Sequence, residues 1–470
     1  MTDPLESPDV AARTARGASL RLVAYALGTV LSVASAAVLL RYLGVADYGR
    51  YVAVFALVTI VAGVTEAGTA NVGVRELATR HRDEHDRLLA DLQGVRLALT
   101  TAGALAAFAF AAVAGYDLTG AALAGAGLIL TVFALTLWIP LQARLELARV
   151  AAFELARQAL TVLVLLALVA AGAGVAVLLG AQVPVGIALA AAGVIVTRHR
   201  LRPRFDPKAW RVLLADTLPY AAATAIGLIY SSSVVLVMSL TVSDAETGLY
   251  GAAARIFTVL GGAAGILVGS AFPLLARAGR DDRERLATGV RRLFDVFLTA
   301  SVGLALVTAA GAPVAIDIVA CSDFERAEPV LRILALAVVA SFLLALAAFA
   351  LLALNKQRWL ILVNAAGLAT AIALAIPLTQ DHGAEGGAIA TVAGESLIAL
   401  LSFAALAKAG ITPGATALPR IALAGAAAAV PAFSLGLPAL PAAAAAALVY
   451  AGAAVALGLV PAELLRRPRP

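Results

Sequence analysis

The chain has 470 residues, 62% of them hydrophobic and 14% charged, with a mean hydropathy of +0.95. A soluble domain carries roughly 45–50% apolar and about 25% charged residues, so this composition excludes a water-soluble globule and calls for a polytopic membrane protein. The net charge of +6 is scattered over short segments between apolar runs, which excludes the aromatic-basic platform of a nucleic-acid binder and leaves no nucleic acid among the expected partners.

Residues 1–18 are polar, and the first apolar run, 19–40, is followed by RYLG rather than a small-residue cleavage site. It is expected to be a retained span, not a signal peptide. Further apolar runs follow at about 52–73, 95–115, 119–141, 150–171, 174–196, 216–240, 249–274, 294–320, 330–354, 358–378, 385–407, 420–437 and 438–460. Segments of about 18 residues cross a hydrocarbon core as helices, and lipid leaves the backbone no hydrogen-bond partner outside the helix. The expected fold class is therefore all-α, with about fourteen transmembrane helices. The last two runs share an uncharged stretch broken by Pro431, Pro438 and Pro441, which fits two short spans or one span and a re-entrant segment.

Basic residues sort by alternate loops. One side takes those of 13–21, 75–96, 144–149, 198–211, 277–292, 356–358, 408–420 and 466–469, while the other has only Arg41, Arg50, Arg326 and Arg332. Lysine and arginine in short loops mark the cytoplasmic side, so both termini are expected in the cytoplasm of a multi-pass protein of the cell inner membrane.

RYLGVADYGRY at 41–51 contains Asp47, Gly49 and Tyr51, and Glu246, Gly248 and Tyr250 repeat that spacing 199 residues later. The same shift lays the charged stretch 78–96 over 277–295. A matched order of apolar and charged blocks indicates internal duplication. Six spans per copy give two six-helix lobes with parallel orientation, 1–200 and 201–410, related by an axis along the membrane normal, with 411–470 appended. Pro203, Pro207 and Pro219 are expected to interrupt any helix through the joining segment 197–220, whose basic residues and Trp210 suit anionic headgroups.

No phosphate-binding loop, GxSxG or HExxH motif occurs, and no extramembrane domain is large enough to house catalysis. No enzyme activity, cofactor or metal is expected. His81 and His85 are four apart and fit either a ligand pair or, more simply, a solvated helix face. The single cysteine, Cys321, excludes an internal disulfide and reads as a small filler. Gly261, Gly265 and Gly269 form a small-residue seam that would allow close helix approach.

Charges within spans are costly, roughly 2.5–3.5 kcal/mol or more each near mid-membrane, and therefore informative. Arg255 lies well inside the eighth run and has no acidic residue three or four positions away. Arg21, Arg50, Arg75 and Arg157 are further candidate anion contacts, although Glu154 stands three residues from Arg157. Glu66 and Glu395 are candidate ion-coupling or cavity carboxylates.

RYLGVADYGRY, TEAGTANVGVREL at 65–77 and GAEGGAIATVAGE at 383–395 together resemble the polysaccharide, or lipid-linked oligosaccharide, flippases of the multidrug/oligosaccharidyl-lipid/polysaccharide exporter superfamily. The resemblance covers about 1–410. It implies alternating access and outward transfer of a polyprenyl-diphosphate-linked glycan for cell-surface polysaccharide synthesis, with membrane lipids and glycan-assembly enzymes as further partners. Related lipid II flippases place cavity arginines on the first, second and eighth spans, and Arg21, Arg50 and Arg255 match these by position. Two other functions stay open: a multidrug cation exporter, for which Glu66 and Glu395 are the relevant charges, and a membrane glycan polymerase or ligase.

Overall fold

The computed structural model describes residues 8–66, 69–79, 81, 84–144, 146–197 and 202–460. Among these no strand occurs, and ten helices are long and apolar enough to cross a membrane. The chain divides into two compact units, one of Met1–Leu43 with Arg50–Ile229, the other of Gly44–Gly49 with Tyr230–Pro470.

The first unit holds most of α1 (Pro8–Glu66), α2 (Thr69–Thr79), α3 (His85–Ala114), α4 (Leu118–Thr136), α5 (Ile139–Ala143), α6 (Leu147–Ala170), α7 (Val175–Leu179), α8 (Gln182–Thr197) and the start of α9 (Pro207–Thr241). The link expected at 41–51 is short: the α1 range holds two helices that meet at Gly44, whose non-helical φ of 69° and ψ of −177° are open to glycine without a side-chain clash. Helices α4 and α8 lie against each other because glycines line the seam: a Cβ on Gly127 would stand 2.8 Å from that of Gln182, and one on Gly186 2.7 Å from that of Leu130. Trp138, at the break between α4 and α5, stacks on Phe153 of α6 with ring centroids 3.7 Å apart.

The segment joining α8 to α9 is docked on α3. The N–H of Arg204 donates to the Ala90 carbonyl at 2.9 Å, and Gly94 admits the Arg204 carbonyl, which would lie 1.9 Å from any Cβ there. Asp206 caps α9 through the amides of Lys208 (3.0 Å) and Ala209 (3.4 Å). These backbone N–H groups, Ala209 foremost and aided by the Arg204 charge, hold its carboxyl below the usual aspartate range. Pro207 occupies the first helical turn, where its missing N–H costs nothing, and α9 continues past Pro219, so only part of 197–220 lacks helix. In a membrane helix, neighbouring groups can compensate a proline's lost bond.

The second unit contains the rest of α9, then α10 (Asp244–Asp281), α11 (Arg283–Ala310), α12 (Ala312–Ala320), a 3-10 turn (Ser322–Ala327), α13 (Glu328–Ala353), α14 (Gln357–Ala407), α15 (Leu418–Phe433) and α16 (Ala439–Ala456). Helix α13 is its axis. Leu334, Val338, Phe342, Leu346 and Ala350, four residues apart along one face, are buried against α10, α11 and α14. The α14 range carries the eleventh and twelfth apolar runs as two helices that meet at Gly383, whose φ of 54° and ψ of −128° are non-helical. The closing apolar stretch forms two helices, and α16 is tied to α11 by the Tyr450 hydroxyl, which donates to the Thr299 carbonyl at 2.8 Å.

The glycine seam on α10 is looser than its spacing implies. A Cβ on Gly261 would make only ordinary contact with Ser341, at 3.8 Å, and one on Gly265 would meet nothing within 4 Å. Close backbone approach occurs instead at the duplicated motif. A Cβ on Gly49 would fall 1.8 Å from the Asp244 carbonyl oxygen and 3.0 Å from the Gly248 nitrogen, and one on Gly248 would fall 2.0 Å from the Val45 oxygen and 3.1 Å from the Gly49 nitrogen. Val45 and Asp244 are themselves 199 residues apart, so the contact is reciprocal.

Candidate functional site

In the first unit, Arg21 lies on α1 among residues whose side chains fall outside the described ones. Arg50 is exposed on the same helix. Arg75, on α2, is exposed and pairs with its neighbour Glu76 at 3.1 Å. Arg157, on α6, is held in a two-pronged ion pair by Glu154, Nε to Oε2 at 3.1 Å and Nη2 to Oε1 at 2.5 Å. Gln158 donates to the same carboxylate at 3.1 Å. That fork is already filled within its own helix turn, which favours a structural role for Arg157 over a free anion contact.

Glu66 ends α1 half-exposed, and its partner is a residue that loop counting misplaces. Arg96 does not belong to a cytoplasmic loop: it lies well inside α3, 1% exposed, with a guanidinium nitrogen 3.7 Å from the Glu66 carboxylate. Its Nε, Nη1 and Nη2, and the hydroxyl of Thr100 one turn on, have no hydrogen-bond partner among the described residues. A buried cation so sparsely partnered is a net cost, since desolvation exceeds what one distant carboxylate returns. Arg96→Met, which keeps length and removes the charge, is therefore expected to leave the thermal unfolding midpoint unchanged or higher. A marked fall in that midpoint would show that the pair with Glu66 stabilises the unit.

In the second unit, Arg255 is half-buried on α10, an otherwise apolar stretch, with its charge acting on the buried Tyr48 phenol. Glu395, on α14, is 9% exposed. It accepts a hydrogen bond from the Ser341 hydroxyl of α13 at 3.0 Å, and the Tyr230 phenol of α9 lies within electrostatic reach. One turn earlier on the same face of α14, Thr391 shares a 2.7 Å hydrogen bond with Tyr250 of α10. The carboxyl thus sits among hydroxyls supplied by several helices. Sequence reading found Glu395 but not its companions, because hydroxyl residues inside apolar runs carry no signal until the helices are packed.

A second cluster surrounds Glu246, the acidic member of the later motif copy. It pairs with Arg326 at 2.6 Å and accepts the Ala384 N–H at 2.8 Å. The bend at Gly383 makes this possible, since a Cβ there would lie 2.3 Å from the same carboxylate. The glycines of GAEGGAIATVAGE are in part the imprint of this contact.

Residues 14–278 match the family model described as "Polysaccharide biosynthesis protein". The chain belongs to this polysaccharide biosynthesis family. No curated protein matches its sequence significantly. Among solved structures, the family member is similar to "Lipid II flippase MurJ, inward closed conformation", at 13% identity and a TM-score of 0.76, covering 95% of this chain and 100% of that one. It is also similar to an inward-facing multidrug resistance MATE family transporter of the MOP superfamily, at 14% identity and TM-score 0.66, covering 84% and 98%. A third likeness is to a MOP superfamily transporter from Pyrococcus furiosus, at 15% identity and TM-score 0.57, covering 86% and 96%. At these identities the likeness establishes the fold of the superfamily: this polysaccharide biosynthesis protein is a multi-pass, all-helical membrane protein.

Proposed function

We propose that this chain is a non-enzymatic flippase that moves a polyprenyl-diphosphate-linked oligosaccharide from the cytoplasmic to the outer leaflet of the inner membrane by alternating access. In this reading 1–200 and 201–410 are the duplicated lobes, 411–470 adds two helices, and both termini are cytoplasmic. Arg255 is the observation that carries it: a permanent cation, half-buried well inside an apolar helix, in a chain whose family is that of polysaccharide biosynthesis. A diphosphate cannot cross hydrocarbon unaided, and a guanidinium fork binds phosphate oxygens two at a time. An inside-negative potential favours outward anion movement by about 2.3 kcal/mol per charge per 100 mV. Arg21, Arg50 and Arg75 are proposed as accessory anion contacts.

A second reading, export of organic cations, is favoured by one observation, the buried carboxyl of Glu395 with Ser341 and no basic hydrogen-bond donor in that bond. Proteoliposomes separate the two. With the protein reconstituted, a fluorescent polyprenyl-diphosphate oligosaccharide placed in one leaflet is expected to become accessible to an impermeant quencher on the other side, while a cationic dye stays where it was loaded. Dye movement without glycolipid movement would decide for the cation exporter.

A further inference from the structure

We propose that the segment joining α8 to α9 is an interfacial anchor, in which Phe205 enters the edge of the hydrocarbon while Arg202, Lys208 and Arg211 hold the phosphates of anionic phospholipids in the leaflet it faces. Helix α3 has 30 residues, roughly 45 Å at ~1.5 Å each. That length matches the ~40–45 Å of a bilayer with its headgroups and leaves about 7 Å of headgroup zone at either end. Ala90, whose carbonyl accepts the Arg204 N–H, lies five residues from the start of α3 at His85, and Gly94, against which the Arg204 carbonyl rests, lies nine. The segment is therefore fixed roughly 8–13 Å along α3, where headgroups give way to hydrocarbon. Val95, the next residue, opens the apolar run of that helix.

The side chains divide accordingly. Trp210, the aromatic that composition favours for an interface, is turned inward: one of its ring carbons would lie 3.2 Å from a Cβ on Gly94, and its Nε1 is buried. Phe205 stands edge-on to that ring, with centroids 5.7 Å apart, and is 61% exposed. Arg202, Lys208 and Arg211 are exposed, as is Arg87 of α3, whose charge reaches Asp206. Two acids of this surface are turned to internal partners. Asp206 caps α9 and pairs with Arg204 at 2.9 Å, and Asp91 lies 3.7 Å from the Arg204 guanidinium. What the segment offers outward is one apolar ring among cations, which matches a surface that is apolar beneath and anionic above. A nucleic acid or an acidic protein would meet the cations and leave the ring in water.

Amide hydrogen exchange in nanodiscs tests this without measuring transport, so its failure is separate from failure of the proposed function. In the parental protein, exchange at Arg202 and Phe205 is expected to be about tenfold slower in discs of mixed phosphatidylglycerol and phosphatidylcholine than in phosphatidylcholine alone, since each basic residue beside an anionic leaflet changes partitioning roughly fivefold. Salt at roughly 1 M, which shortens the screening length to ~3 Å, is expected to remove the difference. Neutralising the segment, with Arg202→Gln, Lys208→Gln and Arg211→Gln together, is expected to abolish it. The same loss of charge on α11, with Arg283→Gln, Arg285→Gln and Arg292→Gln at exposed positions, is expected to leave it intact. Phe205→Ser is expected to speed exchange in both lipids. Equal exchange of the parental protein in the two lipids overturns the proposal, and that comparison needs no variant. So does an equal loss of protection in the α11 variant. Equal protection by inorganic phosphate in phosphatidylcholine discs overturns it too, by making the site one for soluble phosphate.

Discussion

If the proposed function holds, Arg255→Ala is expected to yield an inserted, folded protein whose transport of a polyprenyl-diphosphate-linked glycan falls on the order of 100-fold, since a charge-assisted fork is worth several kcal/mol and each 1.4 is a factor of ten. The argument rests on cost. An arginine within an apolar span is unfavourable by roughly 2.5 kcal/mol or more, and it cannot escape by losing its proton. No acidic residue stands three or four positions from it along α10, so any compensation comes from another element. Arg255→Lys is expected to keep part of the activity, because an ammonium supplies the charge without the planar pair of donors. Transport by reconstituted variants, normalised to inserted protein, gives the comparison, and parental flux in the alanine variant would remove Arg255 from the site.

Glu395→Gln should separate folding from transport in the other direction. The carboxyl is buried on α14 and is bonded to the Ser341 hydroxyl rather than to a cation. A neutral amide of nearly the same shape can still accept from Ser341 and carries no charge to desolvate, so the thermal midpoint is expected to hold or rise. Transport is expected to fall steeply if the carboxyl has the ion-coupling role for which its place in an apolar run makes it a candidate. Parental flux with a raised midpoint would leave Glu395 without a part in coupling; a lowered midpoint would make it a structural hub between α13 and α14. Arg255, Glu395 and Arg96 are charges carried within long apolar helices, and the substitutions above measure what each costs the fold and what, if anything, it gives transport.

How much of this was legible beforehand differs from residue to residue. Arg255 and Glu395 stand out in the sequence because a charge in an apolar run is rare and expensive. The Arg157–Glu154 pair was legible too, being local to one helix turn. Arg96 was not: it stands near the junction of a charged stretch and an apolar one, and only the length of α3, from His85 to Ala114, moves it from loop to interior. The breaks near Gly44 and Gly383 were legible from the polar residues that flank them; what the sequence does not show is that a single non-helical glycine makes each link between two helices.

The sequence by itself determined the solvent, the helical class, the spacing of the apolar runs and the existence of two matched motif copies, since each follows from composition or from order along the chain. Only the tertiary structure decided which side of each helix meets another: that Gly49 lies on Gly248, that Ser341 donates to Glu395, that Glu246 holds the bend at Gly383. In water, a helix announces its buried face by alternating polar and apolar residues. In lipid the outward face is as apolar as the inward one, so that signal vanishes, and partners are chosen by close packing and by a few polar contacts that exist only once the helices have met.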